Sequence, residues 1–141
     1  MRKVGYILSL LAIILVGSQA NAQEVNPDNG AIIALDKDAH NYGEIIQGAN
    51  GECKFVVTNK GNEPLIISKC QQSCGCTVPK CPVQPIAPGK SVEIIVTYDT
   101  KRVGPINKSV TIHSNAANEP SKVIRILGNV KAKAVENAPE K

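Results

Sequence analysis

The sequence predicts an all-β domain, a two-sheet sandwich of about seven strands, behind a cleavable export signal. Three observations carry this reading. Apolar and polar residues alternate with period two in several segments of strand length. Turn signals containing Gly, Pro and Asn separate those segments. Beyond residue 22, no segment repeats apolar residues at the helical spacing.

The first element is the signal. Arg2 and Lys3 make a positive start, and Val4 to Gly17 is almost wholly apolar. That run is roughly fourteen residues, the length of a signal h-region, and short of the about twenty that a spanning helix needs. Ala20 and Ala22 satisfy the small-residue cleavage rule, so cleavage is expected after Ala22, with Gln23 as the new N-terminus. No cysteine closely follows the apolar run, so a lipid-anchoring signal is not expected. The mature chain is expected to be exported, periplasmic or secreted, without a membrane span, in a compartment where disulfides persist.

Residues 23–30 read as a flexible leader, with Pro27, Asp28, Asn29 and Gly30. Residues 31–130 hold the strands. Ala31 to Leu35 is an apolar run, and Tyr42 to Ile46 a second extended piece. In Cys53 to Thr58, Cys53, Phe55 and Val57 share one face, and Asn59-Lys60-Gly61-Asn62 is a turn signal. Leu65 to Ile67 is a short strand leading into a cysteine cluster, and Pro88-Gly89 is a favoured turn pair. Val92, Ile94, Val96 and Tyr98 alternate with Glu93, Ile95, Thr97 and Asp99. Val110 and Ile112 point inward in the segment Ile106 to Ser114. Val123 to Val130 closes the domain, with Arg125 outward and Ile124 and Ile126 inward. Residues 131–141 lack apolar periodicity and are expected to form a disordered tail. Seven short strands in this order favour an immunoglobulin-like sandwich, although the buried Trp of antibody domains is missing.

Composition narrows the function. Loss of residues 1–22 lowers the formal charge from +4 to +2, too weak and scattered for a nucleic-acid surface. The mature chain keeps only Tyr42, Phe55 and Tyr98 as aromatics, so no stacking platform for bases is expected. Ser73, Thr77, His40 and His113 form no local nucleophile pattern. Asp36, Asp38, Glu44 and Glu52 read as solvated or turn carboxylates. No Gly-rich phosphate loop precedes a helix. Neither an enzyme nor a cofactor is expected.

Tyr42-Gly43-Glu44-Ile45 is followed by Phe55-x-Val57-x-Asn59-x-Gly61-x-x-Pro64-Leu65-x-Ile67 and then Ser73-Cys74-Gly75-Cys76-Thr77. With Pro88-Gly89, Val96-x-Tyr98-Asp99, Gly104, Ser114-Asn115 and Gly128-x-Val130, these blocks resemble the DUF1573 family over about residues 33–130. The resemblance implies an exported protein of Bacteroidetes-type bacteria, with no established activity. It also implies an immunoglobulin-like fold similar to Hydin, major-sperm-type and pilus-chaperone modules, which bind other proteins. The family block centres on Cys74 and Cys76. Cys53, Cys70 and Cys81 look like additions of this chain.

Cys70, Cys74, Cys76 and Cys81 fall within twelve residues. In an extended strand Cys74 and Cys76 would lie about 6.6 Å apart on one face, at the edge of the disulfide range of about 4.4–6.8 Å. Gly75 offers a left-handed turn that would bring them closer. A ring so small would be strained, and strained disulfides are the more reducible ones. Two disulfides among the four cysteines have three connectivities, which sequence alone leaves open. Each would contribute about 2–3 kcal/mol to a net stability of roughly 5–15 kcal/mol. The alternative is a soft-metal site for Zn²⁺ or Cu⁺ built from the same four residues, although the spacing lacks paired CxxC knuckles. Thiol–disulfide redox activity is the third reading, weakened because no CxxC precedes a helix. Cys53, on the inward face with Phe55, is expected to be a free buried thiol. The favoured function is an exported, non-enzymatic module that binds an envelope or extracellular protein through a sheet edge or the loop over residues 70–88.

Overall fold

The computed structural model describes residues 29–135. The expected signal peptide, its cleavage point after Ala22, most of the leader and residues 136–141 lie outside the described residues. Within them the chain is all-β, with eight strands: β1 (Ile33–Leu35), β2 (Ala39–Ile46), β3 (Glu52–Asn59), β4 (Ile67–Gln72), β5 (Thr77–Lys80), β6 (Ser91–Tyr98), β7 (Gly104–Ser114) and β8 (Ser121–Lys131). They form two four-stranded sheets, ordered β1-β3-β6-β5 and β2-β8-β7-β4. All neighbouring pairs are antiparallel except β2 and β8, which run parallel.

The period-two patterns become the facing layers of one core. Cys53, Phe55 and Val57 of β3 and Ile94, Val96 and Tyr98 of β6 are buried from one sheet. Ile106, Val110 and Ile112 of β7 and Ile124, Ile126 and Val130 of β8 are buried from the other. Arg125 is exposed between its two buried neighbours, as the alternation requires. Each fully buried Val, Ile or Phe contributes about 1.5–3 kcal/mol, so these central strands carry most of the hydrophobic stabilisation.

Both lateral sides of the sandwich are crossed by a chain that leaves one sheet and joins the other. On the first side β1 hands over to β2. Asp36 anchors the crossing to β3, because its N–H donates to the Val56 carbonyl at 3.1 Å and its carboxylate accepts the Val56 N–H at 2.8 Å. The Asp38 carbonyl then accepts the Arg125 N–H at 2.9 Å, which attaches the chain to β8. Between them the Lys37 ammonium lies 5.4 Å from the centroid of the Phe55 ring, a cation–π placement. On the second side β4 hands over to β5, and this crossing carries the cysteines.

The strand count exceeds the sequence reading by one. The addition is β5, hidden because Pro79 weakens its strand pattern and two cysteines precede it. Proline is tolerated there because β5 is an edge strand with one side unpaired. β4 also runs on to Gln72, past Cys70, where the sequence pattern ended at Ile67. β8 continues through Lys131, the first residue assigned to the tail.

Asn59, read from sequence as the first residue of a turn, is the last residue of β3 and is fully buried. Its amide oxygen accepts the N–H groups of Ile32 (3.3 Å) and Gly61 (2.9 Å). Its amide nitrogen donates to the carbonyls of Glu63 (2.7 Å) and Ile86 (2.9 Å). One side chain thus joins the start of β1, the turn after β3 and the loop before β6. Gly61 is required beside it, because a Cβ there would collide with the backbone of Gly30, Ala31 and Ile32. Replacing Asn59 by Ala strands several of these groups without a partner. The Asn59→Ala variant is expected to lose at least about 2 kcal/mol of unfolding free energy in urea denaturation, and a loss within about 0.5 kcal/mol would remove Asn59 from this role.

Candidate functional site

The cysteine cluster is the second crossover. β4 ends at Gln72, and Ser73 is tied to β7 twice: its N–H donates to the Ser109 carbonyl at 2.9 Å and its Oγ accepts the Ser109 N–H at 3.1 Å. The chain then turns through Cys74, Gly75 and Cys76. The Cys76 carbonyl accepts the Asp99 N–H at 2.9 Å, and Thr77 starts β5 against Tyr98. Four residues therefore carry the backbone from one sheet to the other.

Two disulfides close this crossover. Cys70 pairs with Cys81, at a Cα separation of 6.4 Å. Cys70 lies in β4 and Cys81 just past β5, so this bond ties the edge of one sheet to the edge of the other. Cys74 pairs with Cys76 inside that loop, at a Cα separation of 5.3 Å. Gly75 does not supply the left-handed turn that the sequence offered, since it is not among the positive-φ residues. The turn closes by ordinary backbone bending, and a Cβ at Gly75 would meet nothing within 4 Å.

The small disulfide sits against a polar group. The Thr77 side chain is fully buried. Its hydroxyl lies 4.0 Å from Cys74 Sγ and 3.9 Å from Cys76 Sγ. The Cys76 N–H donates to Cys74 Sγ at 3.3 Å. Cys76 is buried in the core, whereas Cys74 is partly exposed. In the sequence Thr77 belongs to no nucleophile pattern and stands only as the last residue of the Ser73–Thr77 block. Its position directly after the Cys-Gly-Cys block was the available signal.

Pairing of all four sulfurs leaves no thiolate in the cluster to ligate a metal. Among the described residues, no group of three or more His, Cys, Asp or Glu side chains is placed to hold one. The two histidines stand elsewhere. The His40 ring packs edge-on against Tyr42 at 4.6 Å, and His113 Nδ1 lies 3.2 Å from Ser121 Oγ.

Cys53 is the free cysteine among the described residues and is only 4% exposed. Burial pushes its thiol up, with the Tyr42 hydroxyl and Lys37 acting in the opposite direction. Burial first, then the Cys53 contact, pushes the Tyr42 phenol far above its ordinary range. The phenol donates to the Gly51 carbonyl at 2.6 Å. Cys53 is thus a protonated core residue at neutral pH and not a reactive one.

The family model described as protein of unknown function (DUF1573) matches residues 33–130. No curated protein matches the sequence. Among solved structures, the chain is similar to a protein of unknown function from Porphyromonas gingivalis W83, at 16% identity and a TM-score of 0.65. That likeness covers 77% of this chain and 51% of the Porphyromonas protein, so this chain spans about half its length. It is similar to PapD-like domain 7 of human CEP192, at 8% identity and a TM-score of 0.60, over 95% of this chain and 99% of that one. It is also similar to the Pseudomonas aeruginosa CupB2 chaperone, at 9% identity and a TM-score of 0.51, over 69% and 55% of the two chains. At these identities the likeness shows the fold.

Two outcomes follow from the cysteine geometry. Removing Cys70 and Cys81 together as serines should cost about 3 kcal/mol in urea unfolding, more than removing Cys74 and Cys76 together, because the larger loop restricts the unfolded chain more. A smaller cost for the outer pair would contradict its role as the clasp.

The second outcome is pH-dependent. Unfolded Cys53 and Tyr42 ionise near about 8.5 and 10, while in the fold both stay protonated beyond those values. Above about pH 8.5 the unfolded state therefore binds fewer protons than the native state, so stability is full below that pH and falls as pH rises. The decline between about pH 8 and 10.5 should be shallower in Cys53→Ala, and parallel slopes for the two proteins would count against this origin.

Proposed function

This chain belongs to the DUF1573 family of proteins of unknown function, and we propose that it is an exported, non-enzymatic β-sandwich module that binds another polypeptide of the cell envelope through residues 70–88. The carrying observation is the exposure of Val83 (91%) and Val78 (57%) on a segment fixed at both ends. Cys81 is bonded to Cys70, and Ile86 exchanges backbone hydrogen bonds with Leu65 at 2.8 and 2.9 Å. Val83 stands between those anchors. An apolar side chain presented by a segment already held in place loses little conformational freedom on binding, which favours association.

Export is supported by the signal pattern of residues 1–22 and by two disulfides, which persist outside the reducing cytosol. Periplasmic or extracellular residence fits both. Among the described residues no helix is long and apolar enough to cross a membrane. Binding as the mode of action is supported by the shape shared with the CupB2 chaperone.

The test uses the full chain expressed with its signal and a C-terminal tag. Chemical cross-linking in envelope extract should trap a specific partner that a Val78→Asp/Val83→Asp variant loses while keeping its melting temperature. A partner retained by the variant, or none above an unrelated folded sandwich, would overturn binding through this segment. N-terminal sequencing should give Gln23 in the periplasmic or extracellular fraction, and an intact Met1 in the cytosol would overturn export.

A further inference from the structure

Beyond binding, we propose that Cys74–Cys76 is a thiol-exchangeable disulfide that accepts two electrons from thiols, while Cys70–Cys81 remains closed as the clasp. The two bonds differ in three respects. First, hydrogen-bond donors reach the sulfurs of the inner pair alone among the described hydrogen bonds: the Cys76 N–H reaches Cys74 Sγ at 3.3 Å, and the Thr77 hydroxyl lies 3.9–4.0 Å from both sulfurs. Donors of this kind stabilise a thiolate once one forms. Second, the inner pair encloses a single residue, Gly75, which is exposed and has open space around it. Its opening leaves the chain attached on both sides, to Ser109 through Ser73 and to Asp99 through the Cys76 carbonyl. Third, the inner pair lies wholly within the loop that Cys70–Cys81 closes, so the join between the two sheet edges survives its reduction.

Thr77 strengthens the assignment. A fully buried hydroxyl needs a hydrogen-bond partner, and the side-chain partners of this one are the two sulfurs. Valine would fill the same space with no polar atom to satisfy.

The exchange balances as follows. An incoming thiolate attacks Cys74 Sγ, because Cys74 is the partly exposed residue of the pair and Cys76 is buried. A mixed disulfide forms at Cys74, the Cys74–Cys76 bond breaks, and its electron pair leaves on Cys76 Sγ beside the Thr77 hydroxyl. A second thiolate attacks the incoming sulfur, forming a new disulfide between the two donor thiols. The electron pair of the broken mixed disulfide leaves on Cys74 Sγ, which is held by the Cys76 N–H. Two donor thiols are oxidised, one protein disulfide is reduced, and the donors' two protons pass through solvent to the cysteines. The donor is a thiol, carried either by a small molecule or by a polypeptide cysteine.

The test equilibrates the mature protein in mixtures of reduced and oxidised glutathione, quenches with acid and alkylates. Mass spectrometry then reads each cysteine pair separately. The Cys74/Cys76 pair should be half reduced at a reduced-to-oxidised ratio at least about tenfold below that for Cys70/Cys81, with the melting transition retained. Thr77→Val should slow mixed-disulfide formation roughly fivefold, the worth of one hydrogen bond, and Thr77→Ser should restore the rate. A parallel arm with a reduced peptide dithiol identifies the donor, the faster arm naming its source. Simultaneous reduction of both pairs, or an inner pair that resists until the sandwich unfolds, would overturn the proposal. An unchanged rate in a folded Thr77→Val would overturn the role of the hydroxyl. The wild-type titration decides the main point even where a variant fails to fold.

Discussion

A sandwich of two flat layers leaves two long sides open, and this molecule closes each with a chain that changes sheets. The rest of the architecture depends on that constraint. The crossings join edge strands of opposite sheets, β1 to β2 and β4 to β5, and so tie the two flanks of the sandwich together. The β1–β2 crossing is closed by hydrogen bonds from Asp36 and Asp38 and by Lys37 over Phe55. The β4–β5 crossing has only a few residues and little apolar content, and it is closed covalently.

That difference explains where the cysteines stand. Cys70 and Cys81 sit on or beside edge strands of different sheets, so their bond does what no backbone ladder can do between layers. Cys76 reaches into the core, and with it comes Thr77, whose hydroxyl is carried under the surface. The chemistry of the inner disulfide is therefore a by-product of how the crossing is built. Val83 stands exposed just past the clasp, between Cys81 and the Leu65–Ile86 backbone pair.

Much of the fold was legible because strand periodicity is local. Phe55 and Val57, Ile94 and Val96, Val110 and Ile112, and Ile124 and Ile126 all read as inward from alternation, and all are buried. β5 was not legible. A four-residue edge strand containing Pro79 has too little pattern to stand out, and it exists because Tyr98 and its neighbours on β6 offer a partner. Asn59 misled for a related reason. An Asn two residues before a Gly reads as a turn residue, yet here its side chain hydrogen-bonds to three segments far apart in sequence. Gly75 likewise invited a left-handed turn that the backbone does not use.

By itself the sequence determined the class of fold, the identity of its inward faces and the concentration of chemistry in the four cysteines from Cys70 to Cys81. These follow from the period of the pleat and from composition, which are properties of neighbouring residues. Only the tertiary structure decided which cysteine pairs with which, that the cluster spans two sheets and that Thr77 lies against both sulfurs of the inner pair. Those are matters of distance between segments on different layers. Three connectivities are equal in sequence, and they become unequal only when Cys70 and Cys81 are brought to facing edges and the turn between them draws Cys74 and Cys76 together.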